Sequence, residues 1–369
     1  MKKKKKEKKI LYQLIFSAFL LFSNAYLVKA NSDILSQDST GKYCINTEQD
    51  YYNFIENIQN YNNKTVILCN DIDISDVPEA TSSFGGILNG KGHTITYASK
   101  EAKENIAVFP FRINDNGIVE NINVQIDESY AYNSETDEFQ TVFSQCDGIA
   151  KGITIKGNVT CIYDDEDEDV SIGAIEGNGT LMDSSIAITY DLQSEKTIEE
   201  IAEDIVENDL GFEFCQLGTI NTGITYQNCI GYGQYSEAIK SLADELEPKI
   251  EDNTWGYLCV SFTRKSFFST SASATNCYYD KENMPDIKIR SEYIANRDNN
   301  KEFPNYADFG KTTSEMKNQG TYEGFDFNKK WTISPEDNNG YPYYNLQTEE
   351  ITLKVQASTE PKVWSTSVP

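Results

Sequence analysis

His93 is the only histidine in the chain, so neither a two-histidine metal site nor a relay of two imidazoles is available. It lies in Gly90-Lys-Gly-His-Thr-Ile, where a turn entering a strand is the role its surroundings imply. Carboxylates are the abundant acid–base groups, 58 Asp and Glu in all. Polysaccharide-cleaving enzymes work with such groups in pairs, but among so many no pair is singled out by spacing. The acidic run at residues 164–169 offers oxygen ligands to a hard cation such as Ca²⁺. It lacks the glycine and the spaced ligands of a Ca²⁺ loop, and a solvated, self-repelling loop is the simpler account. No other cofactor is indicated. Asp71 and Asp73 alternate with isoleucines, the pattern of the outward face of a strand.

Cysteine is the other reactive type. Eight are present: Cys44, Cys69, Cys146, Cys161, Cys215, Cys229, Cys259 and Cys277. An even number in an exported chain is compatible with disulfides throughout. If equivalent positions sit on adjacent strands about 4.8 Å apart, Cys215 can meet Cys259, Cys229 can meet Cys277, and Cys44 can meet Cys69. A stack of buried thiols serving as small apolar side chains is the alternative. Tyrosine is frequent, 23 residues, with dense sets at Cys277-Tyr-Tyr-Asp and Gly340-Tyr-Pro-Tyr-Tyr. Exposed, these would be stacking surfaces for sugars or proteins; buried, they would close the C-terminal end of the fold.

The elements that must position these residues are mostly strands. Runs such as Thr65-Val-Ile-Leu-Cys, His93-Thr-Ile-Thr-Tyr and Ile118-Val-Glu-Asn-Ile-Asn-Val-Gln-Ile are short, alternating and β-branched, with Gly, Asn and Asp at the turns. Helical spacing is confined to three places: residues 49–59, an N-terminal cap helix, and two insertions near residues 194–210 and 236–250. The cysteines reveal a repeat. Units with an early and a late cysteine begin near Phe143, Phe212 and Gly256, and a unit near Val170 repeats the outline with Gly173 and Ser185. Gly117-Ile-Val-Glu-Asn, Gly152-Ile-Thr-Ile-Lys, Gly179-Thr-Leu-Met-Asp and Gly223-Ile-Thr-Tyr-Gln share a further outline. A strand repeat of about two dozen residues buries its apolar face only by stacking on its neighbours, which predicts an all-β parallel β-helix rather than an antiparallel barrel or sandwich.

Lysines fill most of positions 2–9 and an apolar stretch follows from Ile10 to about Phe22, the order of a secretory signal. Val28 and Ala30 stand where a signal peptidase needs small residues, so residues 1–30 are expected to be cleaved; an uncleaved anchor is the alternative. The whole chain carries −26, and loss of this lysine-rich segment makes the mature protein more acidic still. Such a surface repels nucleic acid and anionic lipid, leaving the membrane a role only through the export signal. The expected organisation is a signal peptide (1–30), a β-helix domain (31–346), and a strand with a polar tail (347–369).

Two ends of the chain resemble the bacterial surface proteins built on GLUG-type repeats. The likeness lies in Val66-Ile-Leu-Cys-Asn-Asp-Ile-Asp-Ile-Ser and Phe84-Gly-Gly-Ile-Leu-Asn-Gly-Lys-Gly-His-Thr-Ile-Thr. It resumes at Asn276-Cys-Tyr-Tyr-Asp, Thr313-Ser-Glu-Met-Lys, Gly324-Phe-Asp-Phe-Asn, Trp331-Thr-Ile and Asn339-Gly-Tyr-Pro-Tyr-Tyr. In between, the Gly-Leu-x-Gly signature is degraded to Val108-Phe-Pro-Phe, Ile172-Gly-Ala-Ile and Cys215-Gln-Leu-Gly. The resemblance implies a right-handed parallel β-helix, secreted or on the cell surface of a bacterium, with adhesive work and no shared catalytic residues. The expected function is therefore binding, without catalysis, of a host or matrix protein or glycan on an extended face. A β-helix polysaccharide lyase or hydrolase and a structural spacer are the alternatives.

Overall fold

The computed structural model describes residues 35–75, 77–78, 80–98, 108–131, 140–163, 170–217, 223–250, 256–261, 273–284, 287–290 and 309–345. The expected signal peptide, the acidic run 164–169 and the tail 347–369 lie outside them. The described chain is mostly β and is organised as long parallel sheets. The larger sheet begins with an antiparallel pair, Ser36–Gln37 on Tyr43–Ile45. It then runs parallel through Thr65–Leu68, Ile87–Asn89, Ile118–Ala131, Ile149–Ile162, Ser185–Gln193, Ile230–Gly231, Tyr278–Asp280 and Gly310–Lys311. A second sheet stacks Phe109–Ile113, Gln140–Cys146, Val170–Ile175, Gly211–Cys215 and Tyr257–Ser261 in parallel, with Ile287–Ile289 antiparallel at its edge. Among the described residues neither sheet closes on itself.

The spacing between stacked positions matches a repeat of about two dozen residues only at the N-terminal end. It is 23 at the N-terminal end (Asp71 to Thr94), 31 in the centre (Thr154 to Ser185) and 48 toward the C-terminus (Thr225 to Ser273). The last increase has a visible source. Helix Ile198–Glu207 follows strand Ser185–Gln193, and helix Glu237–Leu246 follows strand Gln234–Tyr235, so each lengthens one excursion without disturbing the ladder.

Each helix starts where its sequence allows. Thr197 and Glu200 form a reciprocal capping box, and Ser236 caps the next helix by accepting from Ile239 N. Ile201, Ala202 and Ile205 of the one helix and Ile239, Leu242 and Leu246 of the other are buried, and the two helices pack together. At the N-terminal end, Glu48–Glu56 is capped by Thr47 and buries Phe54 edge-on against Phe84 and Phe111, at 5.4 and 5.8 Å between ring centres.

A left-handed corner explains why simple alternation fails along the long strands. Val119 points inward, Asn121 takes φ +57°, and the inward set resumes one place out of phase at Ile122, Val124 and Ile126. Gly152 and Asp183 occupy the same corner on the next two strands, and Asn228 and Asn276 continue the row with φ +52° and +53°. Asn, Asp and Gly are the residues that tolerate this conformation. The row is tied by side chains: Asn228 Nδ2 donates to Asp183 Oδ1 at 2.9 Å and Asn276 Nδ2 to Asn228 Oδ1 at 3.3 Å. The alignment by Gly152 therefore has the wrong phase. Ile149 pairs with Ile118, so Gly148, not Gly152, stacks beneath Gly117, and Gly152 stands level with Asn121.

The core lies between the two sheets. Tyr190 of the larger sheet meets Phe214 of the smaller, and its hydroxyl donates to Cys215 O at 2.8 Å. Phe109 and Phe143, register partners on adjacent strands, stack at 4.3 Å, which adds about 0.5–1.5 kcal/mol to their burial.

Candidate functional site

Residues 309–345 do more than close the end of the ladder. After pairing Gly310–Lys311 with Tyr278–Asp280, the chain turns back along the outer face of the larger sheet and docks there. Its own apolar cluster, Met316, Tyr322, Phe325, Trp331, Tyr341 and Tyr344, packs on Ile230. Three polar anchors hold it. Buried Asp280 accepts from Thr313 Oγ1 at 2.8 Å, Asn283 Nδ2 at 2.9 Å and the Tyr341 hydroxyl. Lys330 Nζ reaches Asp183 Oδ2 at 2.9 Å, and Lys156 Nζ donates to Asn338 Oδ1. Tyr341 and Tyr344 are buried, while Tyr278 and Tyr343 are half-buried.

Between this segment and the sheet runs a cleft of about 320 Å³ lined by Asn123, Thr154, Lys156, Asp337, Asn338, Tyr343 and Tyr344. Its floor is set by register. Asn123 and Thr154 face each other on adjacent strands, Ser185 Oγ donates to Thr154 Oγ1 at 3.3 Å, and Lys156 projects two residues further on. Its wall is a turn in which Asn338 and Asn339 take φ +49° and +53°. Asn338 Nδ2 donates to the carbonyls of Tyr341 and Pro342, both at 3.2 Å, and bonds the Tyr232 hydroxyl at 3.0 Å. Asp337 is exposed at the rim and accepts from the Tyr343 hydroxyl at 3.4 Å.

Burial shapes the titration of the groups here. It lowers the Lys156 ammonium from its usual range and pushes Tyr232 up to about 12. Tyr343 is raised too, by burial first and then by the Asp337 carboxylate. The cleft is thus lined by an ammonium, amides, hydroxyls, a carboxylate and tyrosines, groups that can hydrogen-bond a polyhydroxylated ligand.

Of the residues singled out by sequence, Tyr343 and Tyr344 line the cleft, and His93, Asp71, Asp73 and the cysteines lie elsewhere. His93 Nδ1 is 3.1 Å from Asp71 Oδ1, which also accepts from Thr94 N at 2.8 Å. That backbone bond, followed by the imidazole, holds the Asp71 carboxyl below its ordinary value. Asp71 and Asp73 are exposed and flank buried Ile72.

Cys44 and Cys69 form a disulfide, with Cα atoms 5.9 Å apart. Cys146, Cys161, Cys215, Cys229, Cys259 and Cys277 are buried thiols. Of the two alternatives, Cys215 and Cys259 are buried thiols and not a bridge, because the ladder is offset by two residues, pairing Cys259 with Glu213 and Cys215 with Ser261. Cys229 and Cys277 do share a register, beside the pair Ile230 and Tyr278. They fill the row that Ile122 and Ile153 fill on earlier strands, and burial raises the Cys229 thiol well above its ordinary range. Among the described residues no group of three or more His, Cys, Asp or Glu converges as a metal site, and no helix is long and apolar enough to cross a membrane.

The cleft residues were not legible as a set. Alternation assigns Asn123, Thr154 and Lys156 to the outer face, but nothing local says that a segment 182 residues beyond Lys156 will lie over them. Comparison with known proteins adds no precedent: no family model, no curated protein and no solved structure matches this chain.

Proposed function

We propose that the protein is a secreted or surface-displayed parallel β-helix that binds glycans, without cleaving them, in the cleft beneath its closing segment and along the adjoining outer face. The observation that carries this reading is the cleft of about 320 Å³, whose lining brings together Lys156, Asn123, Thr154, Asn338, Asp337 and Tyr343. The β-helix itself is supported by the in-register parallel succession of strands on both sheets, and by the resemblance of the two ends to GLUG-repeat surface proteins. Export is supported by the lysine-then-apolar N-terminus, and the Cys44–Cys69 disulfide suits an oxidising compartment.

The test is to incubate purified protein with immobilised glycans, matrix proteins and acidic polysaccharides, measuring retained protein and released oligosaccharide in the same wells. Retention on glycans without product is expected. Product release would replace the reading with a lyase or hydrolase, retention on matrix proteins alone with a protein-directed adhesin, and neither signal with a spacer.

A further inference from the structure

The chain has 58 acidic and 32 basic side chains, and several of its lysines meet a carboxylate. Lys151, on the same strand as Lys156, pairs with Glu120 at 2.8 Å, and Lys330 in the closing segment pairs with Asp183 at 2.9 Å. Lys156 meets an amide instead. It stands half-buried in the cleft, its ammonium bonds the neutral amide oxygen of Asn338, and among the described residues no carboxylate forms an ion pair with it. The one acid that lines the cleft, Asp337, lies at the exposed rim and engages the Tyr343 hydroxyl. A partly desolvated cation with only a dipole to satisfy it gains most from an incoming anion, because the charge-assisted bond forms where water competes least.

The rest of the surface limits how much negative charge that ligand can bring. With a net charge of −26, the protein repels a polyanion laid along its face. A single carboxylate held against Lys156 is in direct contact with its partner; Asp337 of the same lining opposes it, while acidic residues more than a screening length away, about 8 Å at physiological salt, act on it weakly.

We infer that the cleft takes a saccharide bearing one carboxylate, placed on a terminal sugar, with that carboxylate against Lys156 Nζ and a sugar face on Tyr343. This rests on the glycan-binding reading above and names its ligand class. Asn123 and Thr154, on the floor, meet the hydroxyls of the same or the next sugar.

The experiment is calorimetric titration of the purified protein with 3′-sialyllactose, with lactose and with oligogalacturonate at physiological salt. Sialyllactose is expected to bind about tenfold tighter than lactose, the ratio that one charge-assisted bond in place of a neutral one can supply, and tighter than the polyanion. Lys156→Gln is expected to lose the preference for sialyllactose and Lys156→Arg to retain most of it, with circular dichroism confirming that both variants fold. Equal affinity for sialyllactose and lactose would overturn this inference and leave the glycan reading standing. Binding of neither would overturn both, and tighter binding of oligogalacturonate would overturn the single-charge assignment.

Discussion

Replacing Tyr341 by phenylalanine removes one oxygen from a buried network and leaves the ring, stacked on Tyr232 at 4.5 Å, in place. The hydroxyl donates to the Asp280 carboxylate and accepts from Asn283 Nδ2 at 3.0 Å, and Tyr341 is only 5% exposed, so water does not readily replace it. A net hydrogen bond to a charged group contributes about 1.5–3 kcal/mol. The lower half of that range is expected here, since Asp280 keeps Thr313 Oγ1 and the backbone N–H groups of Glu282 and Asn283. Because the lost bond joins the closing segment to the ladder, the effect should appear first as loosening of residues 309–345. Urea unfolding followed by near-ultraviolet circular dichroism in the tryptophan region reports this segment through buried Trp331, and far-ultraviolet circular dichroism reports the strands. The variant should lose near-ultraviolet signal at a lower urea concentration than the wild type. A loss of under about 0.5 kcal/mol, the size of an ordinary surface change, would refute the claim that Asp280 and Tyr341 clamp the segment.

Gly148→Ala should destabilise the protein by about 1–3 kcal/mol, because a Cβ there runs into the carbonyl oxygens of Gly117 and Asn114. Thermal unfolding checks it, and a variant as stable as the wild type would place the stacking of Gly148 on Gly117 in doubt. Alkylation of denatured, unreduced protein followed by intact-mass analysis should modify six cysteines and spare Cys44 and Cys69. Eight modifications would remove the disulfide, and four would indicate that a second pair, such as Cys229 and Cys277, also bridges. Stability should fall with rising pH from about 9 to 12. Burial lifts Cys146 from 9.0 to about 12 and Tyr232 from 10.0 to about 12, so the unfolded chain gives up these protons first and the stabilisation they lend below pH 9 is lost as pH climbs. Urea midpoints across that window provide the measurement, and Cys146→Ala should flatten the slope.

The strands and the helical insertions could be read from sequence because each depends on local chemistry: alternation in Thr65-Val-Ile-Leu-Cys, and the Thr197/Glu200 box ahead of Ile198. Phase was harder. Gly152 and Gly148 both precede β-branched residues, and only the stacking of Gly148 on Gly117 decides between them. The corner at Asn121 shifts the inward set by one place, so a search for strict period two loses the pattern where it matters most. Cys215 and Cys259 look equivalent along the chain, yet their strands pair two residues out of step. The cleft was least legible, because it arises from Lys156 and Asn338, which meet only after the ladder is built and the closing segment folds back over it.

The central claim is that this cleft is the binding site. Its most direct test is a nuclear magnetic resonance titration of the labelled protein with lactose and with 3′-sialyllactose, following backbone amide shifts. Perturbations centred on Asn123, Thr154, Lys156, Asn338 and Tyr343 are the predicted result. Shifts confined to other regions, or none with either sugar, would contradict it.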